Sequence, residues 1–198
     1  GEDAKALETV DGKGRFAVPG FIDSHMHLES SMMTPAHFAE AVVPMGTVAV
    51  AADPHEIANV MGKRGVEILC EMTRDLPLHV SIMAPSTVPS APGFETAGAS
   101  LEAEDVREML SYDGVLGLGE VMDFNGVVDS DEKMMAIIDE AQKTGCLMDA
   151  HVPLLKGRSL QAFVSTGLDC DHTYMDVDSV AEKLRCGMWV QIQERYFT

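Results

Sequence analysis

The chain has 198 residues, 46% of them apolar, and its 14 Lys and Arg against 32 Asp and Glu give a formal charge of −18. That length is enough to bury a sizeable core, normally as one domain. The charge argues against a nucleic-acid backbone or an anionic membrane as partner, and no apolar run reaches the ~20 residues that cross a bilayer.

The four cysteines, Cys70, Cys146, Cys170 and Cys186, lack CxxC spacing and read as reduced core thiols of a cytoplasmic protein. Fourteen methionines read as core filler. Residues 1–15 are polar and Gly-rich and form an approach segment; the domain proper is expected over 16–198. Phe16 to Asp23 is the first apolar run and the first expected strand. It passes into Ser24-His25-Met26-His27. Residues i and i+2 of a strand share a face, so the two imidazoles aim at one point.

Thr34-Pro35 opens a helix, with Thr as N-cap, and Pro44 and Gly46 end it. Thr47 to Ala52 suits a strand covered on both faces and ends in Asp53-Pro54-His55-Glu56. A helix is expected from Gly65 to Asp75 and a third strand from Leu78 to Met83. The loop Ala84 to Ser100, rich in Pro, Gly, Ser and Thr, is long enough to serve as a lid. Leu101 to Leu110 reads as an acidic helix, and Val115 to Gly119 as a fourth strand ending at Glu120. Asp129 and Glu132 resemble a capping box for a helix stopped by Gly145. Cys146 to Ala150 is the fifth strand, ending at His151. A helix around Leu160 and Phe163 precedes a short sixth strand, Leu168 to Asp171, ending at His172. Ser179 and Glu182 form a second capping box, Gly187 ends that helix, and Met188 to Ile192 is the seventh strand.

Strand, polar cluster, helix, repeated, implies an α/β fold with a parallel sheet and helices outside. A doubly wound sheet gathers its ligands at one switch point. Here nearly every strand end carries polar or ionisable residues, as in a (β/α)8 TIM-type barrel, of which about seven strands are countable. The first, fourth, fifth and sixth strand ends offer His25 with His27, Glu120, His151 and His172, a metal-site composition. Glu120 lies between the two histidine groups in barrel order, so its carboxylate could bridge two ions. Asp53, His55 and Glu56, at the second strand's end, are catalytic candidates beside Glu120, in ligand, proton-transfer or orienting roles. Glu29 and the loop from Pro85 to Glu95, with Ser86, are candidates for substrate contact. His37 and His79 fit the plain role of a hydrogen-bonded core histidine.

Gly20-Phe21-Ile22-Asp23-Ser24-His25-Met26-His27 resembles the signature of the amidohydrolase superfamily. More narrowly, His27 to Met32, Ala52 to Val60 and Val115 to Met122 resemble the adenine deaminase family, and the likeness runs from about Val18 to Val190. It implies a metal-dependent hydrolase barrel with a binuclear iron or manganese site, zinc being the alternative. His25 and His27 match the first-strand ligands, Glu120 the bridging glutamate, and His151 and His172 the ligands of the fifth and sixth strands. The implied reaction turns adenine into hypoxanthine and ammonia, with a small purine as the partner molecule and a homo-oligomer for the full-length protein. Residues 1–15 then correspond to a remnant of an N-terminal β-sandwich region.

Departures from that pattern are Met45 in place of His, Thr173 after Asp171-His172 in place of Glu, and the tail Gln191-Ile192-Gln193-Glu194-Arg195. An eighth strand, with its metal-binding aspartate, is not countable, so a fragment of a longer enzyme is expected. Two other readings share the fold: a ring-opening cyclic amidohydrolase of the hydantoinase or dihydroorotase kind, and an inactive truncated module.

Overall fold

The computed structural model describes residues 5–173 and 176–193. Among these, parallel pairing joins Phe21–Met26 (β1), Thr47–Ala52 (β2), His79–Ala84 (β3), Val115–Val121 (β4) and Leu147–Ala150 (β5) into one sheet in chain order. Cys170–Asp171 (β6) and Trp189–Val190 (β7) form a separate parallel pair. Consecutive parallel strands need crossovers, and helices supply them. They are Pro35–Val42 (α1), His55–Met61 (α2), Lys63–Thr73 (α3), Ala103–Met109 (α4), Phe124–Asp129 (α5), Glu132–Thr144 (α6), Gly157–Val164 (α7) and Val177–Arg185 (α8). The sheet curls. Ser24 on β1 donates from Oγ to Oε1 of Gln191, just past β7, at 3.0 Å, so the first and last strands approach each other. The fold is an incomplete TIM-type barrel.

The core lies between the sheet and its helices. Val66 and Leu69 of α3, Val106 and Met109 of α4, Ile137 and Ile138 of α6, and Leu160 and Phe163 of α7 are buried in one cluster with Ile82, Leu118 and Ala150 of the strands. Each large apolar side chain so buried stabilises the fold by about 1.5–3 kcal/mol relative to exposure. The inner face is more open. Ile22, Leu116, Leu147 and Trp189 are exposed along a trough of about 560 Å³.

Local sequence set most elements, with instructive shifts. Thr34 caps α1 as expected, its side chain accepting from the His37 N–H, and Gly145 ends α6 at φ +68°, the left-handed conformation glycine adopts most easily. The first strand starts at Phe21 rather than Phe16, because pairing starts there: the Phe21 N–H donates to the Gly46 carbonyl at 2.8 Å. Phe16 and Val18 stay 95% and 72% exposed. Residues 5–20 contain no helix or strand. Neither expected capping box forms. Asp131 caps α6 by accepting from the Met134 N–H, while Asp129 closes α5, a helix that the apolar pattern does not announce. Asp176 caps α8 by accepting from the Ser179 N–H, and Ser179 is buried one turn inside. In both cases a better-placed aspartate a few residues away took the N–H groups. Helix α2, starting at His55, is a further addition to the expected elements, and α3 runs two residues earlier than expected. Strand β4 extends through Glu120 to Val121. His37 and His79 are exposed, not core, histidines. Of the tail that departs from the family pattern, Glu194 and Arg195 lie outside the described residues.

Candidate metal centre

Curling brings the strand ends to one point. His25 comes from β1, His27 from just beyond it, His55 from the first turn of α2, Glu120 from β4, and His151 and His172 from just past β5 and β6. Glu120 is at the centre and only 2% exposed. Each of its oxygens faces a histidine pair. Oε1 lies 3.5 Å from Nε2 of His27 and 3.2 Å from Nδ1 of His55. Oε2 lies 2.7 Å from Nδ1 of His151 and 3.0 Å from Nε2 of His172. The His25 and His172 rings stack, with centroids 3.5 Å apart.

Neighbours set the tautomers on the first strand. Nδ1–H of His27 donates to the Asp53 carbonyl at 2.8 Å, and Nδ1–H of His25 donates to the Asp149 carboxylate at 2.7 Å. Each Nε2 is then the ring's lone-pair nitrogen. The two Nε2 atoms point at each other across 3.3 Å, a repulsive arrangement that a cation shared between them makes attractive. A carboxylate or carbonyl behind a metal-binding imidazole is the usual way to fix its orientation.

Charge in the site is tightly coupled. Burial alone would raise the pKa of Glu120, but hydrogen bonds from His151, His172 and His55 hold it far below the usual carboxylate range. Asp149 behaves alike: burial opposes ionisation, and His172 and His25 outweigh it. For His55 burial lowers the pKa, yet Asp53 and Glu120 raise it to about 10. Burial likewise opposes protonation of His172, while Asp149 and Glu120 raise it to about 9.

These residues fit divalent cations. Among the described residues, four groups hold ligand atoms within 4.8 Å of one another: His25, His27 and Glu120; His25, Asp149 and His172; Glu120, His151 and His172; Asp53, His55 and Glu120. Glu120 belongs to three of them. Imidazole and carboxylate donors suit manganese, iron or zinc. Oδ1 of Asp53 is buried with no hydrogen-bond partner among the described residues, as a residue facing a cation would be. A cavity of about 420 Å³ opens over the cluster, with Ser30 and Gln193 also in its lining.

Glu56, Glu29 and Ser86, also named from the sequence, do not join it. Glu56 is exposed and accepts from the Ser30 hydroxyl. Glu29 accepts the Ile57 N–H at 3.0 Å, tying its turn to α2, and burial pushes its carboxyl pKa up. Ser86 is buried and donates from Oγ to the backbone carbonyl of Glu120 at 2.7 Å, which places it behind the site. Asp53 approaches β4 so closely that its Oδ2 accepts the Glu120 N–H at 2.6 Å. Only glycine at 119 permits this, since a Cβ there would sit 2.4 Å from the same oxygen. Sequence reasoning missed Asp149. The signal was present, because Asp149 stands two residues before His151, the same spacing that singled out His25 and His27.

A family model described as "Amidohydrolase family" matches residues 16–194. Among curated relatives, an adenine deaminase of Oleidesulfovibrio alaskensis is 47% identical over 195 residues, 98% of this chain and 34% of its own length. Adenine deaminase 2 of Rhizobium meliloti is 44% identical over 98% of this chain and 32% of its own. An adenine deaminase of Archaeoglobus fulgidus is 46% identical over 95% and 33%. The chain thus spans about a third of the length of the curated relatives it matches.

Proposed function

Because the chain belongs to the amidohydrolase family, we propose that it supplies the metal-binding part of an enzyme that hydrolyses adenine to hypoxanthine and ammonia. The observation that carries this is the double-faced Glu120, one oxygen toward His27 and His55 and the other toward His151 and His172. In this reading His25 and His27 would hold one divalent cation and His151 and His172 a second, with the Glu120 carboxylate available to both. Manganese or iron is the proposed metal, with zinc as the alternative. Bound cations of this kind make water acidic enough to act as a nucleophile near neutral pH.

The chain's own residues do the rest. Asp149 orients His25, and the Asp53 carbonyl orients His27. His55, with Nδ1 3.2 Å from Glu120 and 3.6 Å from Asp53, is placed to hold a proton at Nδ1 and pass it toward a departing nitrogen. The cavity of about 420 Å³ over the cluster is the proposed seat of the substrate, and the relatives' names support adenine as the one it takes. The charge of −18 is consistent with a small-molecule substrate and not a nucleic acid. No helix among the described residues is long and apolar enough to cross a membrane. The four free cysteines suit the cytoplasm. A homo-oligomer is proposed for the longer protein.

The test is ammonia release from adenine by the manganese- or iron-loaded protein, as this chain and as a chain extended to its relatives' length. Hypoxanthine and ammonia in equal amounts support the reading. Ring-opening of a hydantoin or dihydropyrimidine without adenine turnover would replace it with a cyclic amidohydrolase. No turnover by the extended, metal-loaded protein would leave an inactive module.

A further inference from the structure

Backbone ladders place β1 to β5 relative to one another, but among the described residues no ladder joins β5 to β6. Yet His151, just past β5, and His172, just past β6, must meet the same oxygen of Glu120. Something other than sheet pairing has to hold those two ends in register.

A buried ion pair does so. Lys183 of α8 is 0% exposed, and its ammonium donates both to Oδ2 of Asp171 and, at 2.8 Å, to the Val152 carbonyl. Asp171 in turn accepts the Val152 N–H at 3.0 Å, the Thr173 N–H at 3.3 Å and the Thr173 hydroxyl at 3.0 Å. Val152, the neighbour of His151, is therefore gripped through both its N–H and its carbonyl. Asp171 and Thr173, the neighbours of His172, are gripped from the other side. Helix α8 shows how strongly this is preferred: it turns Lys183 and Ser179 inward while Val177 and Leu184 remain exposed. A buried lysine is costly unless its charge is paired and its protons are all used.

We infer that Lys183, with Asp171, is a positioning device for the second cation: it sets His151 and His172 at the spacing a shared ion needs, in place of the missing β5–β6 ladder. The inference rests on the two-cation reading of the site. It predicts that the clamp governs the His151–His172 ion and leaves the His25–His27 ion alone.

The experiment titrates the metal-free chain with Co²⁺, following both the count of bound ions and their absorption spectrum. A His172→Ala chain identifies the second ion's signal. Lys183→Met is expected to weaken that ion by roughly 10–100-fold, the usual effect of losing a group that supports a ligand, with the first ion's spectrum and affinity unchanged. Thr173→Val, which removes one donor without stranding a buried charge, is expected to fold and to give a smaller loss of the same ion. If Lys183→Met does not fold, the Thr173→Val titration decides between the outcomes. A neutral pair, Lys183→Met with Asp171→Asn, is expected to recover thermal stability without recovering the second ion. If stability and the second ion recover together, or if all variants bind both ions as the parent does, the clamp is merely structural and the inference is overturned. If the parent chain binds no second ion, the two-cation reading fails first and the clamp's role falls with it.

Discussion

Asp149 and His25 touch from opposite edges of one sheet. Oδ2 of the first lies 2.7 Å from Nδ1 of the second, although β1 and β5 are the outer strands of five. In a flat sheet strands that far apart would be separated by about 19 Å. The contact therefore depends on the curl, and it orients an imidazole that faces the other ligand candidates. Asp149→Asn is expected to lower metal affinity by roughly 10–100-fold, measured by competition with a chromophoric chelator. An unchanged affinity would reduce Asp149 to a bystander.

Glu120 faces His27 with one carboxylate oxygen and His172 with the other. Glu120→Ala is expected to lose metal and activity together in the extended, metal-loaded protein. Metal analysis by emission spectroscopy alongside ammonia release checks this, and retained turnover would remove Glu120 from the chemistry.

Protonation should oppose metal binding in a specific direction. In the metal-free chain the pKa of His55 is raised to about 10 and that of His172 to about 9, both above the ordinary value of about 6.5. Their protonated forms thus stabilise the metal-free fold fully below pH ~6.5, and that contribution is lost as pH rises through about 9 to 10. Glu120 and Asp149 are depressed, so their contribution is present above pH ~4.5 and is lost as pH falls. At pH ~7.5 an incoming cation must displace imidazole protons. Binding is expected to release protons and to tighten as pH rises from ~6 to ~9. Calorimetric titrations in buffers of different ionisation enthalpy count those protons; a heat independent of buffer would contradict the assignment.

Gly119 allows Asp53 to reach the backbone of β4. Gly119→Ala puts a methyl group 2.4 Å from Oδ2 of Asp53, and overpacking of this kind costs about 1–3 kcal/mol. Lower stability in urea, with weaker metal binding, is the expected pair of outcomes. A normal variant would mean that Asp53 can move aside without consequence.

Ser86, a candidate for substrate contact by its place in the loop, braces the carbonyl of Glu120 instead. Ser86→Ala is expected to cost about 1 kcal/mol of stability, the net worth of one hydrogen bond, with KM for adenine unchanged in the extended protein. A raised KM at constant stability would return Ser86 to the substrate.

The amino-acid order alone determined what depends on near neighbours. Period-two alternation put His25 and His27 on one face, and apolar runs ending in polar residues marked where strands stop and ligands begin. That much also exposed Glu120, the ionisable residue that closes the apolar, Gly-rich run of β4, and His151 and His172, which follow β5 and β6 directly. Tertiary structure decided which of the remaining polar groups face them. Glu56 and Glu29 sit near the site in sequence but bind Ser30 and the α2 backbone. Lys183, unremarkable along the chain, becomes the partner of Asp171, and Asp149, marked only by its spacing from His151, becomes the partner of His25. The reason is physical: a side chain's direction along a strand is set by the strand's own pleat, whereas the distance between two strand ends is set by how the sheet curls, and that is a property of all the strands and helices packed together.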